Sequence, residues 1–333
     1  MDRVSVEEWL KSHSVRNYTI NEDLSVDVDG NVDLSNKSLI AIPVKFRNVS
    51  GGFICTGNRL STLEGCPDNV GGNFECNQNS LISLVGGPEH VGGNFHCIGN
   101  RLSTLVGCPS YIGVNFSCGA NHLKDLDGSP VSVNGDYSCS INNLTTLKGC
   151  PESVGGNFDC NNNNLESLEF CPSIVGGSFY CSANKITSLN HCPKIINKFH
   201  CNDNKLSDFI GCPQEVGGDF LCSDNKLISL VGCPKTVGGA FSCGENRLTS
   251  LIGCPDKVVS FLCGDNELTS LEGCPETVGR FTCRSNKLGE SELFLYDYNS
   301  EQVRQYYVSK NLNEKLLMGL SKEAGVGIKK NKI

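Results

Sequence analysis

A pattern of buried-type and polar positions repeats along most of the chain with a period of about 21 residues. Its most regular part reads F-x-C-x-x-N-x-L, with two variable residues between the cysteine and the asparagine. The cysteines step by 21 residues for six intervals and then by 20, 21, 21, 20 and 20. Such self-similarity at a fixed period indicates a solenoid of stacked coils. The twelve cysteines of this motif are Cys55, Cys76, Cys97, Cys118, Cys139, Cys160, Cys181, Cys201, Cys222, Cys243, Cys263 and Cys283.

The F-x-C segment predicts a short strand in which both named side chains point inward, because side chains alternate between the two faces of a strand. Eleven phenylalanines between Phe53 and Phe281, together with Tyr137, then form one aromatic spine. Each buried ring stabilises the fold by roughly 1.5–3 kcal/mol. The asparagine, present in all twelve copies, is predicted to satisfy backbone groups of its own and the next coil.

The rest of the repeat reads L-x-x-L-x-G-C-P-x-x-V-G-G and carries nine further cysteines, so all 21 cysteines belong to the repeat. The residue before proline favours extended backbone, and the V-G-G glycines predict a tight turn or bulge. Three repeats lose one residue between C-P and the strand, at 192–199, 254–261 and 274–281. The strand register is therefore expected to survive the loss. The segment is too short for a full helix, so extended or short 3₁₀ backbone is predicted on this side.

The tail F-x-C-x-x-N-x-L matches the L-x-L-x-x-N-x-L core of the leucine-rich repeat, and the chain resembles that family over 34–288. More narrowly, it resembles the short type of tailed-phage and bacterial proteins, as SLIGCPDKVVSFLCGDNELTSLEGCPETVGRFTC at 250–283 illustrates. The resemblance implies a mainly β solenoid of about 12–13 parallel coils. It also implies a non-enzymatic, protein-binding role. If the phage resemblance holds, the partner is a host cytoplasmic protein and the role is host takeover or counter-defence.

The two ends are predicted to cap this solenoid, as terminal repeats require. Residues 1–33 hold eight acidic and three basic residues and predict a short helix with a Ser5–Glu8 capping box, then a hairpin around Asp29 and Gly30. Trp9 is interpreted as part of this small α/β cap, with a binding anchor as the alternative. Residues 289–333 predict an α-helical cap. Its helices run from about Glu301 to Ser309 and from about Glu314 to Leu320, before a basic tail with Lys329, Lys330 and Lys332.

Composition narrows the class of protein further. With 19% charged and 38% hydrophobic residues, the chain differs from a disordered one. No apolar run approaches 18 residues and the N-terminus lacks a signal sequence, so no membrane association is expected. A net charge of −8 disfavours nucleic acid as a partner. The cysteines form no C-x-x-C motif, so buried reduced thiols in a reducing cytoplasm are predicted, with metal sites or disulfides as the alternative.

No catalytic chemistry is indicated by the motifs. The sequence has no phosphate-binding loop, no H-E-x-x-H and no G-x-S-x-G, and no cysteine follows the repeats. We therefore expect no enzyme activity, no cofactor and no metal site.

Candidate binding residues lie at the exposed strand positions six, four and two residues before each asparagine, which line the concave face in the leucine-rich repeat architecture. Bulky side chains at these positions predict a protein-binding patch. The alternative is that single exposed apolar residues are ordinary. The larger group is Tyr180, His200, Leu221, Leu262, Arg280 and Arg284, and the smaller is Ile54, His96 and Ile98.

Two rows of charge flank the asparagines of the later coils and form a predicted charged rim. Such a rim is interpreted either as a surface salt-bridge network or as a device that orients a partner. The acidic row is Asp203, Asp224, Glu245 and Asp265, and the basic row includes Lys205, Lys226 and Arg247.

The leading hypothesis is thus a non-enzymatic protein-binding module with a rigid concave surface, acting on a cytoplasmic partner. Two alternatives remain. One is a structural or virion-associated repeat protein. The other is a binder of glycans or small ligands on the asparagine-rich early face, where Asn73, Asn94 and Asn115 recur.

Overall fold

A computed structural model describes residues 1–194, 196–275, 279–289, 302–303, 305–310 and 312–313. In these ranges the F-x-C segments pair side by side into one parallel sheet of 13 strands, here named the F-x-C sheet. Phenylalanine stands opposite phenylalanine at successive steps, as in Phe74 with Phe95. The predicted mainly β solenoid is therefore confirmed. The strands are Val32–Asp33, Phe53–Ile54, Phe74–Glu75, Phe95–His96, Phe116–Ser117, Tyr137–Ser138, Phe158–Asp159, Phe179–Tyr180, Phe199–His200, Phe220–Leu221, Ala240–Ser242, Ser260–Leu262 and Arg280–Thr282.

The aromatic spine predicted from the motif runs through the core. From Phe53 to Phe281 the centroids of successive rings lie 5.1–5.8 Å apart. Tyr137 takes its place in the row, and its hydroxyl lies 2.8 Å from the Ser129 hydroxyl. Ser129 stands where most other coils have the cysteine of C-P, so a polar pair replaces the usual phenylalanine and thiol at this coil.

The buried asparagines form a ladder that joins consecutive coils. Asn163 donates from Nδ2 to the carbonyls of Cys139 (3.2 Å) and Cys160 (3.1 Å), while its Oδ1 accepts from the Leu144 amide at 3.0 Å. The same pattern recurs along the solenoid, for example at Asn100 and Asn225. Each asparagine thus satisfies backbone groups of its own coil and of the preceding coil, rather than of the next coil as predicted.

The other side of the solenoid carries short strands, most of them in V-G-G segments, and within the described ranges these form three separate sheets, here named the V-G-G sheets. One break lies between the coils of Val175 and Glu215, where the first 20-residue repeat falls and, among the described residues, one bridge joins Ile196 to Val216. The other lies between Ile112 and Ser132, where the repeats keep 21 residues. The strands are Tyr18–Ile20, Val26–Val28, Phe46–Val49, Asn69–Val70, His90–Val91 and Tyr111–Ile112 in the first sheet, Ser132–Val133, Ser153–Val154 and Ile174–Val175 in the second, and Glu215–Val216 and Thr236–Val237 in the third.

Glycine serves two different purposes in the repeat. In V-G-G the coils approach closely, and a methyl group added at Gly176 would clash with the Gly155 carbonyl. Close stacking, rather than the predicted bulge, explains this pair. The glycine before C-P instead adopts a left-handed backbone, with φ +84° at Gly149. Phe170 and His191 occupy the equivalent position in two coils, at φ 65° and 69°.

The N-terminal segment packs against the first coil. The helix spans Arg3–Ser12 and begins after Asp2, whose side chain accepts from the Ser5 amide at 2.8 Å, so the predicted Ser5–Glu8 capping box is wrong. Trp9 is half-buried. Its ring stacks on the His13 ring with 4.0 Å between centroids and meets the Phe46 ring edge to face with 6.3 Å between centroids. Since Phe46 in turn packs on Phe53, the tryptophan extends the aromatic spine.

The predicted hairpin around Asp29 and Gly30 is also wrong. Tyr18–Ile20 pairs antiparallel with Val26–Val28, so the hairpin lies one strand earlier. Val32–Asp33 instead belongs to the F-x-C sheet, paired in parallel with Phe53–Ile54. The alternating valines therefore mark the two sides of the first coil, and the parallel ladders begin before residue 34. The three-segment division of the chain stays a prediction.

At the other end, helical residues occur at 302–303, 305–310 and 312–313. Val303 and Tyr307 are buried, and the Tyr307 hydroxyl accepts from the Leu271 amide at 2.8 Å. This contact ties the helical segment to the last coils. The predicted second helix at Glu314–Leu320 and the tail lysines Lys329, Lys330 and Lys332 lie outside the described residues.

The 21 cysteines all lie within the described ranges, and none forms a disulfide. Several thiols donate to the carbonyl of the next coil, as Cys97 Sγ does to Ser117 O at 3.4 Å. Burial raises the pKa of Cys118 to about 12 and the pKa of Cys76 well above its usual value. The thiols therefore pack as neutral side chains in this core, and their redox state in the cell stays a prediction.

Candidate functional site

The larger predicted binding group falls on the outward side of the F-x-C sheet, and the structure brings three of its members together. Tyr180, His200 and Leu221 occupy the same position in three consecutive coils and stand opposite one another in the strand register. The rings of Tyr180 and His200 meet edge to face at 5.0 Å. All three side chains are half-buried. We name these three residues the aromatic patch.

His200 has an unusual environment for a surface histidine. Its Nε2 atom is buried and has no hydrogen-bond partner among the described residues. Burial lowers the pKa of His200, while the nearby Asp219 carboxylate opposes that shift and Lys198 adds to it. Lys198 and Asp219 form an ion pair of 2.8 Å beside the ring. The imidazole is therefore held neutral at physiological pH, with an unused polar atom that a partner group could reach only by displacing its neighbours.

The remaining members of the larger group lie apart from the aromatic patch. Leu262 is two coils further along, separated from Leu221 by Ser242 in the register. Arg280 and Arg284 are exposed in the last coil of the sheet. The face thus runs from an aromatic centre to a basic end.

The smaller predicted group is not contiguous. Glu75 stands between Ile54 and His96 in the strand register. Ile98 follows His96 in the same coil and is 39% exposed. A cavity of about 250 Å³ separates His96 from Tyr180, and its lining includes Ser117, Ser138 and Asp159. Small side chains therefore leave a shallow depression between the two groups.

The acidic row of the charged rim has a backbone role that the sequence did not suggest. Asp203, Asp224, Glu245 and Asp265 all adopt φ of 50–54°, the left-handed region. Every coil has this conformation before its asparagine, and glycine fills the position at Gly57. Aspartate tolerates it better than most residues do. In the sequence, the signal for this conformation is the glycine at the same position in two early coils, Gly57 and Gly99.

The predicted salt-bridge network between the two rows is not observed within the described part of the chain. Lys205, Lys226 and Arg247 are exposed, and no ion pair there joins them to the acidic row. The described ion pairs lie elsewhere, as between Lys148 and Asp127. The basic row is thus left available to a partner.

The asparagines of the early face form a second, outer ladder. Asn73 Oδ1 accepts from the Asn94 amide (3.0 Å), and Asn94 Oδ1 from the Asn115 amide (3.1 Å). Asp136 continues the row by accepting from the Asn157 amide at 2.7 Å. These contacts give the side chains a structural task, so the asparagine-rich face by itself provides no argument for a glycan site.

The described residues contain no group of three or more histidine, cysteine or acidic side chains arranged to hold a metal ion. Within the same ranges, no helix has both the length and the apolar character needed to cross a bilayer.

Comparisons with known proteins agree with the fold. No family model and no curated protein matches the sequence. Among solved structures, the chain is similar to YopM, a leucine-rich effector protein from Yersinia pestis, at 17% identity and a TM-score of 0.52, over 78% of this chain and 67% of that one. YopM from Yersinia enterocolitica WA-314 matches at 16% identity and a TM-score of 0.44, over 78% and 74%. The fold is thus that of a leucine-rich repeat solenoid.

Proposed function

We propose that this chain is a non-enzymatic protein-binding module that engages its partner through the outward side of the F-x-C sheet, centred on the aromatic patch. The carrying observation is the unbroken sheet that holds Tyr180, His200 and Leu221 in consecutive register. A binding surface loses less entropy on association when its residues are already fixed. Aromatic side chains on such a surface are also enriched among the residues that dominate binding energy.

The remaining predicted residues extend this surface. Leu262, Arg280 and Arg284 would contact the partner beyond the aromatic patch, and Ile54, His96 and Ile98 would do so at the opposite end. The charged rim would orient the partner during encounter, because complementary charge accelerates association more than it tightens binding.

The kind of partner and the biological role are inferred from the resemblance to short phage-type repeats. We infer that the partner is a host cytoplasmic protein and that binding serves host takeover or counter-defence. The solved structures that support the fold include a leucine-rich effector protein, which is in keeping with an effector-like role.

The test is an affinity pull-down from bacterial cytosolic lysate with the wild type and with a Tyr180→Ala, Leu221→Ala, Leu262→Ala variant. A matched control carries Thr145→Ala, Thr187→Ala and Thr249→Ala, three exposed positions on another side of the coils. We expect one protein to be captured by the wild type and the control, and to be lost from the triple variant.

Circular dichroism and thermal melting confirm beforehand that all three proteins fold alike. Equal capture by the wild type and the triple variant would reject the outward side of the F-x-C sheet as the binding surface. Absence of any captured protein would favour the structural or virion-associated alternative, which predicts stoichiometric copies in purified particles.

A further inference from the structure

A row of exposed aliphatic side chains crosses three consecutive coils on a different side of the solenoid. Ile210, Val231 and Ile252 occupy the same repeat position, and they are 61%, 68% and 63% exposed. Ile228, which is 63% exposed, lies three residues before Val231. We name these four residues the aliphatic stripe. Contiguous apolar surface of this kind marks interaction sites more often than scattered single residues do.

The backbone that presents the stripe is fixed by local hydrogen bonds. The Ile210 amide donates to Asp208 Oδ1 at 2.9 Å, and the Val231 amide donates to Ser229 Oγ at 3.1 Å. The Ile252 amide makes the same contact with Ser250 Oγ at 3.1 Å. The side chains therefore project from a preorganised turn.

Other coils show that the fold does not require an apolar residue at this position. The same turn carries Asp127, Lys148 and Glu169 in three consecutive earlier coils. Since the backbone contacts are equivalent, three aliphatic residues in succession are not explained by stability. The fold therefore leaves this position free to serve an interaction.

The three coils of the stripe also carry a row of positive charge. Lys205, Lys226 and Arg247 each lie five residues before a stripe residue and are exposed. Consecutive coils are joined at this row, as the Lys226 amide donates to Leu206 O at 2.8 Å and the Arg247 amide to Leu227 O at 2.9 Å. None of these three side chains takes part in an ion pair within the described residues. A partner seated on the stripe would be stabilised by carboxylates facing this row.

The spacing between consecutive coils favours one kind of partner segment on the stripe. The strands of the F-x-C sheet, which belong to the same coils, lie about 4.8 Å apart. Side chains three or four residues apart on an α-helix have Cβ atoms roughly 5–6 Å apart. Side chains on one face of an extended strand are about 6.6–6.8 Å apart. Over three coils, a helix stays closer to the register of Ile210, Val231 and Ile252 than a strand does.

We propose that the aliphatic stripe docks an amphipathic helix of a partner protein, aligned with the solenoid axis, with its apolar ridge on the stripe and its acidic flank toward Lys205, Lys226 and Arg247. This surface is separate from the outward side of the F-x-C sheet. The two proposals share the basic row of the charged rim but not the aliphatic stripe, so substitutions in the stripe test this proposal alone.

The probe is a fluorescent, stapled alanine-based helix with leucines at positions i, i+4 and i+7 and glutamates at the adjacent positions. A second peptide has lysine in place of each glutamate. Fluorescence anisotropy measures binding of both to the wild type, to Val231→Asp and to Val106→Asp. Val106 is a matched control because it occupies the same repeat position, is 54% exposed and is held by Thr104 Oγ1 in the same turn.

We expect saturable binding of the acidic peptide to the wild type, weakened by about tenfold or more in Val231→Asp, which corresponds to about 1.4 kcal/mol. Val106→Asp should bind like the wild type, and the basic peptide should bind weakly. No saturable binding, equal binding to Val231→Asp, or equal binding of the two peptides would each overturn the proposal.

Two further measurements separate this proposal from its competitors. Sedimentation velocity of the free chain tests whether a second copy of the chain covers the stripe instead. A wild-type dimer that Val231→Asp converts to a monomer would support that second copy and would overturn the proposal of a docked helix. The Tyr180→Ala, Leu221→Ala, Leu262→Ala variant should retain full affinity for the acidic peptide. Loss of affinity in that variant would place the peptide on the F-x-C sheet and likewise reject the stripe.

Discussion

The two sides of each coil respond differently to the loss of one residue. Where the first 20-residue repeat falls, the F-x-C sheet keeps its register, and Phe199 stands opposite Phe179 and Phe220 as in any other coil. On the V-G-G side of the same coil, the strand pairing found among the described residues is the bridge between Ile196 and Val216. The V-G-G side is likewise interrupted between Ile112 and Ser132, where the repeats keep 21 residues, so pairing on this side is the weaker of the two even without a missing residue.

This difference shows where the fold is specified. On the F-x-C side, each coil contributes a ring to the spine and an asparagine to the inner ladder, and both sets of contacts cross to the neighbouring coils. On the V-G-G side, the coils are held by valine burial and by close backbone approach. A missing residue there costs a few hydrogen bonds, whereas one in the F-x-C-x-x-N segment would displace a ring, an asparagine and a leucine together.

Two single-residue deletions, one on each side of a coil, should show the difference between the two sides most clearly. Removal of Gly156 creates another 20-residue repeat and should leave a folded protein, destabilised by the loss of backbone hydrogen bonds worth about 1 kcal/mol each. Removal of Ser182 shifts Asn184 and Ile186 out of register and should abolish cooperative folding, because buried backbone groups lose their partners. Urea unfolding followed by circular dichroism measures both. Similar stability of the two variants would contradict the distinction.

The next prediction separates the inner ladder from the outer one. Asn163→Ala leaves the Leu144 amide and two buried carbonyls without their side-chain partner, so a loss of about 3 kcal/mol in unfolding free energy is expected. Asn115→Ala removes one contact to the amide of the exposed Asp136, which water can replace, and should cost about 1 kcal/mol or less. Chemical denaturation at a fixed pH tests the pair, and equal losses would refute the assignment of the inner ladder as the stronger one.

Tyr137 and Ser129 allow a test inside the spine. Tyr137→Phe removes one member of the 2.8 Å hydroxyl pair and should destabilise the fold by about 1 kcal/mol. The double variant with Ser129→Cys restores the usual pair of phenylalanine and thiol and should recover most of that loss. A double-mutant cycle measures the coupling energy, and additive effects would show that the two side chains do not depend on each other.

The smallest expected effect concerns the left-handed position before the asparagine. Ile141 has φ 56° there and is 58% exposed, and a β-branched residue is unfavourable in this conformation. Ile141→Asn should therefore stabilise the protein by about 0.5–1 kcal/mol. Ile82→Asn is the control, because Ile82 is 61% exposed without a positive φ. Thermal unfolding that shows no gain, or the same change in both variants, would argue against the strain.

Much of the fold could be predicted because its determinants repeat twelve times. The spacing of F-x-C and asparagine indicated the parallel sheet, the spine and the inner ladder, and the structure confirms this fold. The N-terminal turn occurs only once in the sequence, so no repeat shows its role. Asp29 and Gly30 therefore match a hairpin pattern, although they connect the two sides of the first coil. The Ser5–Glu8 pair similarly matches the capping-box pattern, whereas the structure has Asp2 as the cap, another favourable cap residue.

The candidate site was harder to predict because exposed positions have no period of their own. The strand positions located Tyr180, His200 and Leu221 correctly in one row, but the electrostatic surroundings of His200 depend on Asp219, which only the fold brings near. The acidic row was taken for a rim because charge is visible in a sequence and φ is not. The aliphatic stripe was missed because Ile210, Val231 and Ile252 resemble core residues until the turns show them outside.

Hydrogen exchange measured by mass spectrometry tests the central claim most directly, because it compares both sides of the shortened coil in one experiment. The account predicts that the amides of Phe199 and Cys201, which donate to Asp219 O and Leu221 O at 2.8 Å, are as protected as those of Phe158 and Cys160. Amides at 196–198 should exchange faster than those at 154–156. If Phe199 and Cys201 instead exchange as fast as 196–198, the solenoid divides at this coil, and the claim of one continuous F-x-C sheet is contradicted.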